Sequence, residues 1–578
     1  MNARHIERRA PGDGSGLPGE LHPLLRRIYG ARGIATQAEL DLALGSLADY
    51  RALGGMEQAI DLLAACLSAQ QRILVVGDFD ADGATSSALL VRALRRFGAE
   101  HADYLVPNRF EYGYGLTPEI VALAAERKPD LIITVDNGIS SHAGVGAAKE
   151  RGIAVLVTDH HLPGATLPAA DAILNPNLKE DTFPSKHLAG VGVVFYLLMA
   201  LRARLRESGW FTQRGIPEPN LAEYLDIVAL GTVADMVQLD RNNRVLVAEG
   251  LRRIRAGRCI PGIVALMEVG KRDLRRLTAS DLGFTVAPRL NAAGRLTDMS
   301  LGIECLLTDD PARAQQLAVR LDELNRERRD IEIKMREEAF AVLAHLDFSE
   351  DDPSLPVGVC LFNPDWHQGV VGLVASKVKD KLQRPVIAFA RSEDGSLKGS
   401  GRSVRGMHIR DALEAVSTRH PGLIGKFGGH AMAAGLSLEE ARFTEFREAF
   451  DVEARRWLSR DDLAGVLHTD GELEREFMTL ECAELLRSAG PWGQGFPEPL
   501  FDGEFRLLER RVVGTGHLKL VLEHPGAGLR CEAIAFGETG EHIPVDCRQV
   551  RIAYRPDVNE YRGERKLQLL VEYIEPIG

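Results

Sequence analysis

Three short apolar runs dominate the first half of the chain: RILVV at 72–76, LIITV at 131–135 and AVLV at 154–157. Each leads directly into chemically loaded residues, GDFDADG at 77–83, VDNG at 135–138 and TDHH at 158–161. Continuous apolar runs suit strands buried on both faces of a parallel sheet. The intervening segments TSSALLVRALRRFG, TPEIVALAAERK and HAGVGAAKERG read as helices, and ADYLVP and DAILNP as further strands. Strand and helix alternate from about residue 70 to 240, which predicts an α/β fold with a doubly wound, mostly parallel sheet. Ligands of such sheets sit beyond the carboxyl ends of the strands. All three polar motifs fall at that edge.

At 578 residues the chain exceeds one core, and several domains are expected. Residues 1–65 read as an N-terminal tail and helical extension, with MNARHIERRAPGDGSG as a flexible tail lacking a hydrophobic signal core. The sheet domain takes 66–305. From 306 to 350 a long connector helix is predicted. Its segment 311–345 has no internal Gly or Pro and would run roughly 50 Å. The dense charge of LDELNRERRDIEIKMREE suggests an exposed connector rather than a core helix. Alternation resumes with VGVCLF, HQGVVGLVASKVKDKL and PVIAFA, a second, smaller α/β domain over 351–455. The runs HLKLVLE, RCEAIAF, QVRIAYR and KLQLLVEYI then read as antiparallel strands. They predict a C-terminal five-stranded β-barrel over 460–578, of which the oligonucleotide-binding fold is one class.

No apolar stretch approaches the roughly 20 residues that span a bilayer. The seven cysteines form no CxxC pair, so neither a zinc knuckle nor a disulfide framework is indicated, and a reducing cytoplasm fits best. The net charge of −12 argues against bulk attraction to nucleic acid. Carboxylates gathered around metal ions would inflate that count, so a local basic groove stays open.

Asp78, Asp80 and Asp82 stand at i, i+2 and i+4, with Gly83 next and a helix opening at Thr85 and Ser86. The string resembles an EF-hand loop, but that loop needs Glu at position 12, where Leu89 stands, and a helix ahead of it. VDNG alone could be a turn. Asp159, His160 and His161 directly after an apolar run indicate ligation or catalysis. Asp235 lies in the apolar run LGTVADMVQL, where an unpaired carboxylate is costly without a metal or hydrogen-bonding partner. Carboxylate and imidazole donors without thiolate suit Mn²⁺ or Mg²⁺. Four or more carboxylates can hold two ions about 4 Å apart, an arrangement suited to phosphate chemistry.

The order GDFDADG, VDNG, TDHH, GTVADMV resembles the DHH phosphoesterase superfamily. Further strings are similar to its RecJ branch of single-strand-specific 5′→3′ exodeoxyribonucleases: PNRFEYGYG, LAGVGVVF, APRLNAAGRL, WHQGVVGLVASK, KGSGRS, FGGHAMAAG, WGQGFPEPLF and NEYRGERKLQLLVE. The resemblance runs from about residue 70 to the end. It implies a DHH domain, a DHH-associated domain and an OB-fold barrel. It also implies two divalent ions, Mn²⁺ or Mg²⁺, one held by Asp78, Asp80 and Asp136 and the other by Asp82, Asp136, His160 and Asp235. Asp136 would bridge, Asp159 would orient a ligand, and His161 would face the scissile phosphate.

By the same resemblance Arg109, Ser400 and Arg402 would hold a 5′-terminal phosphate. Arg289, Asn291 and Arg295 would contact phosphates or serve interdomain hydrogen bonds. His367 and His430 would line a cleft, and His517 and Lys519 would face the strand on the barrel. Trp492, Phe496 and Tyr554 are candidates for base stacking, or for core packing. The implied activity is release of 5′-mononucleotides from single-stranded DNA in recombinational and mismatch repair. The implied setting is a cytoplasmic monomer working beside a single-strand-binding protein and a RecQ-type helicase. Two alternatives remain: another DHH phosphodiesterase acting on short oligonucleotides or cyclic dinucleotides, and a non-catalytic DNA-binding scaffold. A scaffold would lose its acidic ligands, and all four motifs keep theirs.

Overall fold

A computed structural model describes residues 5–577 apart from 109–111, 113–114, 344–354, 460, 464, 515, 526–527 and 562. The chain divides into two compact units, one of Pro11–Asn325 with Glu484–Pro499, the other of Met1–Ala10, Arg326–Ala483 and Leu500–Gly578.

The first unit is built on five strands: β1 (Ile73–Gly77), β2 (Ala102–Leu105), β3 (Leu131–Val135), β4 (Ala154–Thr158) and β5 (Ala172–Leu174). They lie in the order β2-β1-β3-β4-β5, and every neighbouring pair is parallel. All residues of β1 and β3 are buried, as their unbroken apolar runs require. One face packs Leu74, Val76, Ile132, Val155 and Val157 against Ile120, Val121 and Val145 of the crossover helices. Each such side chain contributes about 1.5–3 kcal/mol on burial. The helix Ala81–Arg96 follows β1 and packs against the helices Gly190–Glu207 and Leu225–Ala234. Crossover connections therefore place the ends of β1, β3 and β4 side by side.

In the second unit β6 (Val359–Phe362), β7 (Val386–Arg391), β8 (Ser396–Arg402), β9 (Lys426–Gly429) and β10 (Ala433–Glu439) form a sheet in the order β9-β10-β8-β7-β6. A closed barrel follows from β11 (Phe501–Val513), β12 (His517–Glu523), β13 (Arg530–Ala535), β14 (Gln549–Tyr561) and β15 (Glu564–Ile577). The expectation of purely antiparallel strands needs correction: β13 and β15 pair in parallel and close the barrel.

Three other expectations change. Helix Pro311–Leu343 is not simply exposed: Ala314, Leu317, Ala318, Leu321 and Leu324 form a buried stripe in its first half. Its second half places Met335, Ala339 and Leu343 in a core with Val359, Leu361 and Val371. Charge covers the outward faces and hides this stripe in the sequence. The N-terminal segment is not a free tail, since His5–Arg8 pairs in parallel with Val466–Thr469 and Arg8 reaches Asp502 at 2.7 Å. Finally, Glu484–Pro499 belongs to the first unit rather than to the barrel unit. There the Trp492 and Phe496 rings stack 5.1 Å apart, with Arg244 over Phe496 and Tyr29 alongside. Trp492 donates to the Leu486 carbonyl. Tyr554 is buried against Phe501 and Phe505 in the barrel core. Phe496 and Tyr554 pack the protein interior, and the half-buried Trp492 has one ring face covered by Phe496. Among the described residues no helix is long and apolar enough to cross a membrane.

Candidate metal centre

The polar residues that follow β1, β3 and β4 converge, joined by Asp235 from the end of the helix Leu225–Ala234. Their donor atoms form three interlocking groups: Asp78 with Asp80 and Asp136; Asp82 with His160 and Asp235; and Asp136 with Asp159, His160 and His161. Within each group the donor atoms lie within 4.8 Å of one another. His160 Nε2 stands at the junction, 3.0 Å from Asp136 Oδ1, 3.5 Å from Asp235 Oδ2 and 4.0 Å from Asp82 Oδ2.

Local backbone structure fixes each group. Asp80 caps the helix Ala81–Arg96, its Oδ1 accepting from the amides of Asp82 at 2.9 Å and Gly83 at 3.0 Å. Asp82 accepts from the amides of Gly190 at 2.6 Å and Val191 at 3.0 Å, buried donors that have no partner within the first turn of the helix Gly190–Glu207. Asp136 holds a left-handed backbone with φ of 60°, a strained conformation that turns its side chain off the strand end. Asp159 accepts from the amides of Ile139, His160 and His161 and from His161 Nδ1. Asn175 and Asn177, just beyond β5, donate to the carbonyls of His161 and His160.

The electrostatics fit bound cations. Burial and the neighbouring carboxylates push Asp82 up to about 7 and Asp235 to about 8. Asp136 is raised well above the ordinary carboxylate range by burial and by the charges of Asp82, Asp80 and Asp235. Asp235 Oδ2 is buried and accepts no hydrogen bond among the described residues. Burial holds His160 below the usual imidazole range, the neutral form that ligates metals. A crowd of buried carboxylates with an oxygen left over is costly alone and is relieved by divalent cations. Hard oxygen and imidazole donors suit Mn²⁺ or Mg²⁺.

The second unit contains a separate anion-suited feature. The Arg402 guanidinium, on β8, is largely buried and donates to Ser400 Oγ at 3.0 Å and to the Gly401 carbonyl at 2.8 Å. Burial lowers its pKa. Ser400 and Arg402 stand at the first turn of the helix Val371–Leu382, where a Cβ on Gly372 would come within 2.8 Å of Ser400 Oγ and 3.0 Å of Arg402 Nη2. A hydroxyl, a guanidinium and a helix N-terminus together favour phosphate.

Other expected site residues fall differently. Arg109 lies outside the described residues. Arg289 is buried and paired with Asp322 at 2.8 Å, and it also donates to the Thr285 carbonyl. It braces the fold and is not offered to a phosphate. Asn291 accepts from the Ala81 amide at 2.8 Å, supporting the DFDADG turn directly. Arg295 is half-buried on the same helix, Ala287–Leu296. His367 Nδ1 accepts from the Gly369 amide at 3.1 Å, and His430 is exposed. On the barrel Lys519 pairs with Glu532 at 2.7 Å, while His517 Nδ1 accepts from the Gly537 amide at 3.0 Å. Asn175 lies inside the quoted DAILNP, with Asn177 just beyond it, and Gly190 and Val191 lie inside LAGVGVVF, but nothing in those residue types announced that they support the centre.

Family profiles match at residues 72–232 (DHH family, N-terminal domain), 355–455 (DHHA1 domain) and 469–573 (RecJ OB domain). The chain is 58% identical over 578 residues to the single-stranded-DNA-specific exonuclease RecJ of Dickeya dadantii, covering 100% of both chains. It is similar to the crystal structure of RecJ from Thermus thermophilus in complex with Mn²⁺, with a TM-score of 0.80 and 31% identity over 100% of this chain and 80% of that one. The Mg²⁺ complex of that protein matches with a TM-score of 0.74 and 29% identity, over 100% of this chain and 79% of the other.

Proposed function

The chain belongs to the RecJ family of single-stranded-DNA-specific exonucleases, and from that premise we propose that it degrades single strands from the 5′ end at a two-ion centre, releasing 5′-mononucleotides. It is a hydrolase of the DHH family. The observation that carries the reading is the interlocked set of Asp78, Asp80, Asp82, Asp136, His160 and Asp235 around one buried junction.

In this reading Asp78, Asp80 and Asp136 hold one ion, and Asp82, Asp136, His160 and Asp235 hold the other, with Asp136 shared. The Mn²⁺ and Mg²⁺ complexes of the Thermus relative support either metal. Bound there, the pair supplies a water that is nucleophilic at neutral pH and neutralises charge on the phosphodiester. Asp159 orients His161 through the 2.7 Å contact at Nδ1. His161, held largely protonated, donates to a non-bridging oxygen or to the leaving group. Ser400 and Arg402 bind the 5′-terminal phosphate and so set polarity, and the resemblance assigns Arg109 the same role. Asn291, Arg295, His367 and His430 contact the strand, and His517 and Lys519 do so from the barrel. The cellular role is recombinational and mismatch repair, as a cytoplasmic monomer beside a single-strand-binding protein and a RecQ-type helicase.

The test is digestion of 5′-labelled and 3′-labelled single strands, with and without a 5′-phosphate, in Mn²⁺ and in Mg²⁺. Early release of the 5′ label, faster from phosphorylated ends, is expected. Arg402→Ala should remove the phosphate preference. Release of the 3′ label first would overturn the polarity.

A further inference from the structure

Two large apolar side chains are left in water near the end of the helix Leu225–Ala234: Met236, directly after Asp235, and Phe284, next to Gly283, which packs against Val233. Phe284 is 74% exposed and Met236 69% exposed. Exposed aliphatic residues are ordinary, but an aromatic ring this open, on a turn packed against the helix that ends at Asp235, calls for a reason. Phe284 sits on a single π-helical turn, Leu282–Val286, in which Leu282, Thr285 and Val286 are buried and Gly283 is half-buried. Such turns are frequent at functional sites.

The turn is tied to the metal motif from two directions. Gly283 packs on the helix that ends at Asp235: a Cβ there would stand 3.2 Å from Val233 Cγ1. The helix that continues from the turn, Ala287–Leu296, carries Asn291, which accepts from Ala81 between Asp80 and Asp82. Met236 directly follows Asp235 and holds a left-handed backbone with φ of 59°. Non-glycine residues adopt that conformation only where the surroundings impose it.

We propose that Phe284 and Met236 form an apolar platform on which an unpaired nucleobase stacks next to the reacting phosphodiester. Every base has a π-face, so the contact tolerates any sequence. Beyond the terminal pair, a base in a duplex is stacked on both faces and must be unpaired and unstacked before it can reach the platform, so the platform favours single strands. The platform thereby contributes to the single-strand specificity of the family. The inference rests on the reading that Asp235 belongs to the reacting centre.

The test uses the full chain, Mn²⁺, and 5′-phosphorylated single strands carrying one abasic nucleotide at the first, second or third position. Wild type should lose roughly tenfold in kcat/KM at one of these positions, mainly through KM. Phe284→Ala should lose a similar factor on the intact strand and little more on that abasic strand. Phe284→Trp should restore most of the loss, and Met236→Gly should weaken the strand while easing its backbone. The exposed position of Phe284 predicts an unchanged melting temperature for the alanine variant. Losses that multiply at all three positions would overturn the platform, as would a Phe284→Ala variant with wild-type kcat/KM on the intact strand. Cleavage retained by Asp235→Ala would instead remove the metal assignment and leave the abasic comparison to stand alone.

Discussion

His161 Nδ1 lies 2.7 Å from Asp159 Oδ1, and the same carboxylate accepts from the Ile139 amide at 2.9 Å. The pair settles two protonation states at once. Burial pulls the imidazole down, but the hydrogen bond and charge of Asp159 outweigh it and hold His161 at about 9. Burial would raise Asp159, yet His161 holds it at about 2. Asp159→Asn keeps the shape but loses the charge. Cleavage should fall roughly 10–100-fold, with Mn²⁺ affinity changing less than the rate. Initial rates on 5′-labelled single strands and a Mn²⁺ titration check this. An unchanged rate would rule out an orienting role for Asp159.

Asp136, like His160, is shared between two donor groups, and its backbone is left-handed. Asn tolerates that conformation nearly as well as Asp, whereas Ala pays roughly 1–2 kcal/mol. Both Asp136→Asn and Asp136→Ala should abolish cleavage while leaving single-strand binding largely intact. Asp136→Asn should be the more stable of the two by thermal denaturation. Mn²⁺-dependent cleavage retained in either would remove Asp136 from the ligand set.

The strand ends were readable because chemistry and periodicity coincide there: an apolar run fully buried on both faces stops abruptly at Asp or His. What was not readable depends on partners distant in sequence. Nothing in HIER announces a strand, since its partner Val466–Thr469 lies near the other end of the chain. Arg289 in PRLNAAGR looked like a phosphate ligand because its counter-ion, Asp322, sits on another helix amid many charges. Trp492 and Phe496 looked like base-stacking residues because their neighbours Tyr29 and Arg244 come from remote segments. Backbone amides such as those of Gly190 and Val191 have no side-chain signature, although they hold Asp82.

Gly190 offers a steric test of how tightly the centre is built. Its backbone is not left-handed, so the glycine is there for space. A Cβ would fall 2.7 Å from Asp136 Cβ and 3.0 Å from Asp82 Oδ2. Alanine is otherwise the better helix residue. Gly190→Ala should therefore destabilise by about 1–3 kcal/mol and raise the Mn²⁺ concentration needed for half-maximal cleavage. A variant as stable and as readily activated as wild type would show that the contact relaxes freely.

Asp226 provides a pH signature away from the metal centre. It is fully buried, and burial pushes it up to about 6, although the amides of Ile260 and Ile227 donate to it at 2.8 Å and pull the other way. Its folded value lies above its unfolded one, so the folded chain binds the proton more tightly. The stability this contributes is complete below about pH 4 and is lost as pH rises through about 6, a total of about 3 kcal/mol. Asp226→Asn cannot titrate. Whatever fixed offset the substitution introduces, the difference in unfolding free energy should shift in favour of the variant by about 1 kcal/mol between pH 5 and 7.5. Denaturant melts of both proteins across that range measure it. A difference that stays constant with pH would mean that Asp226 is already ionised in the fold at pH 5.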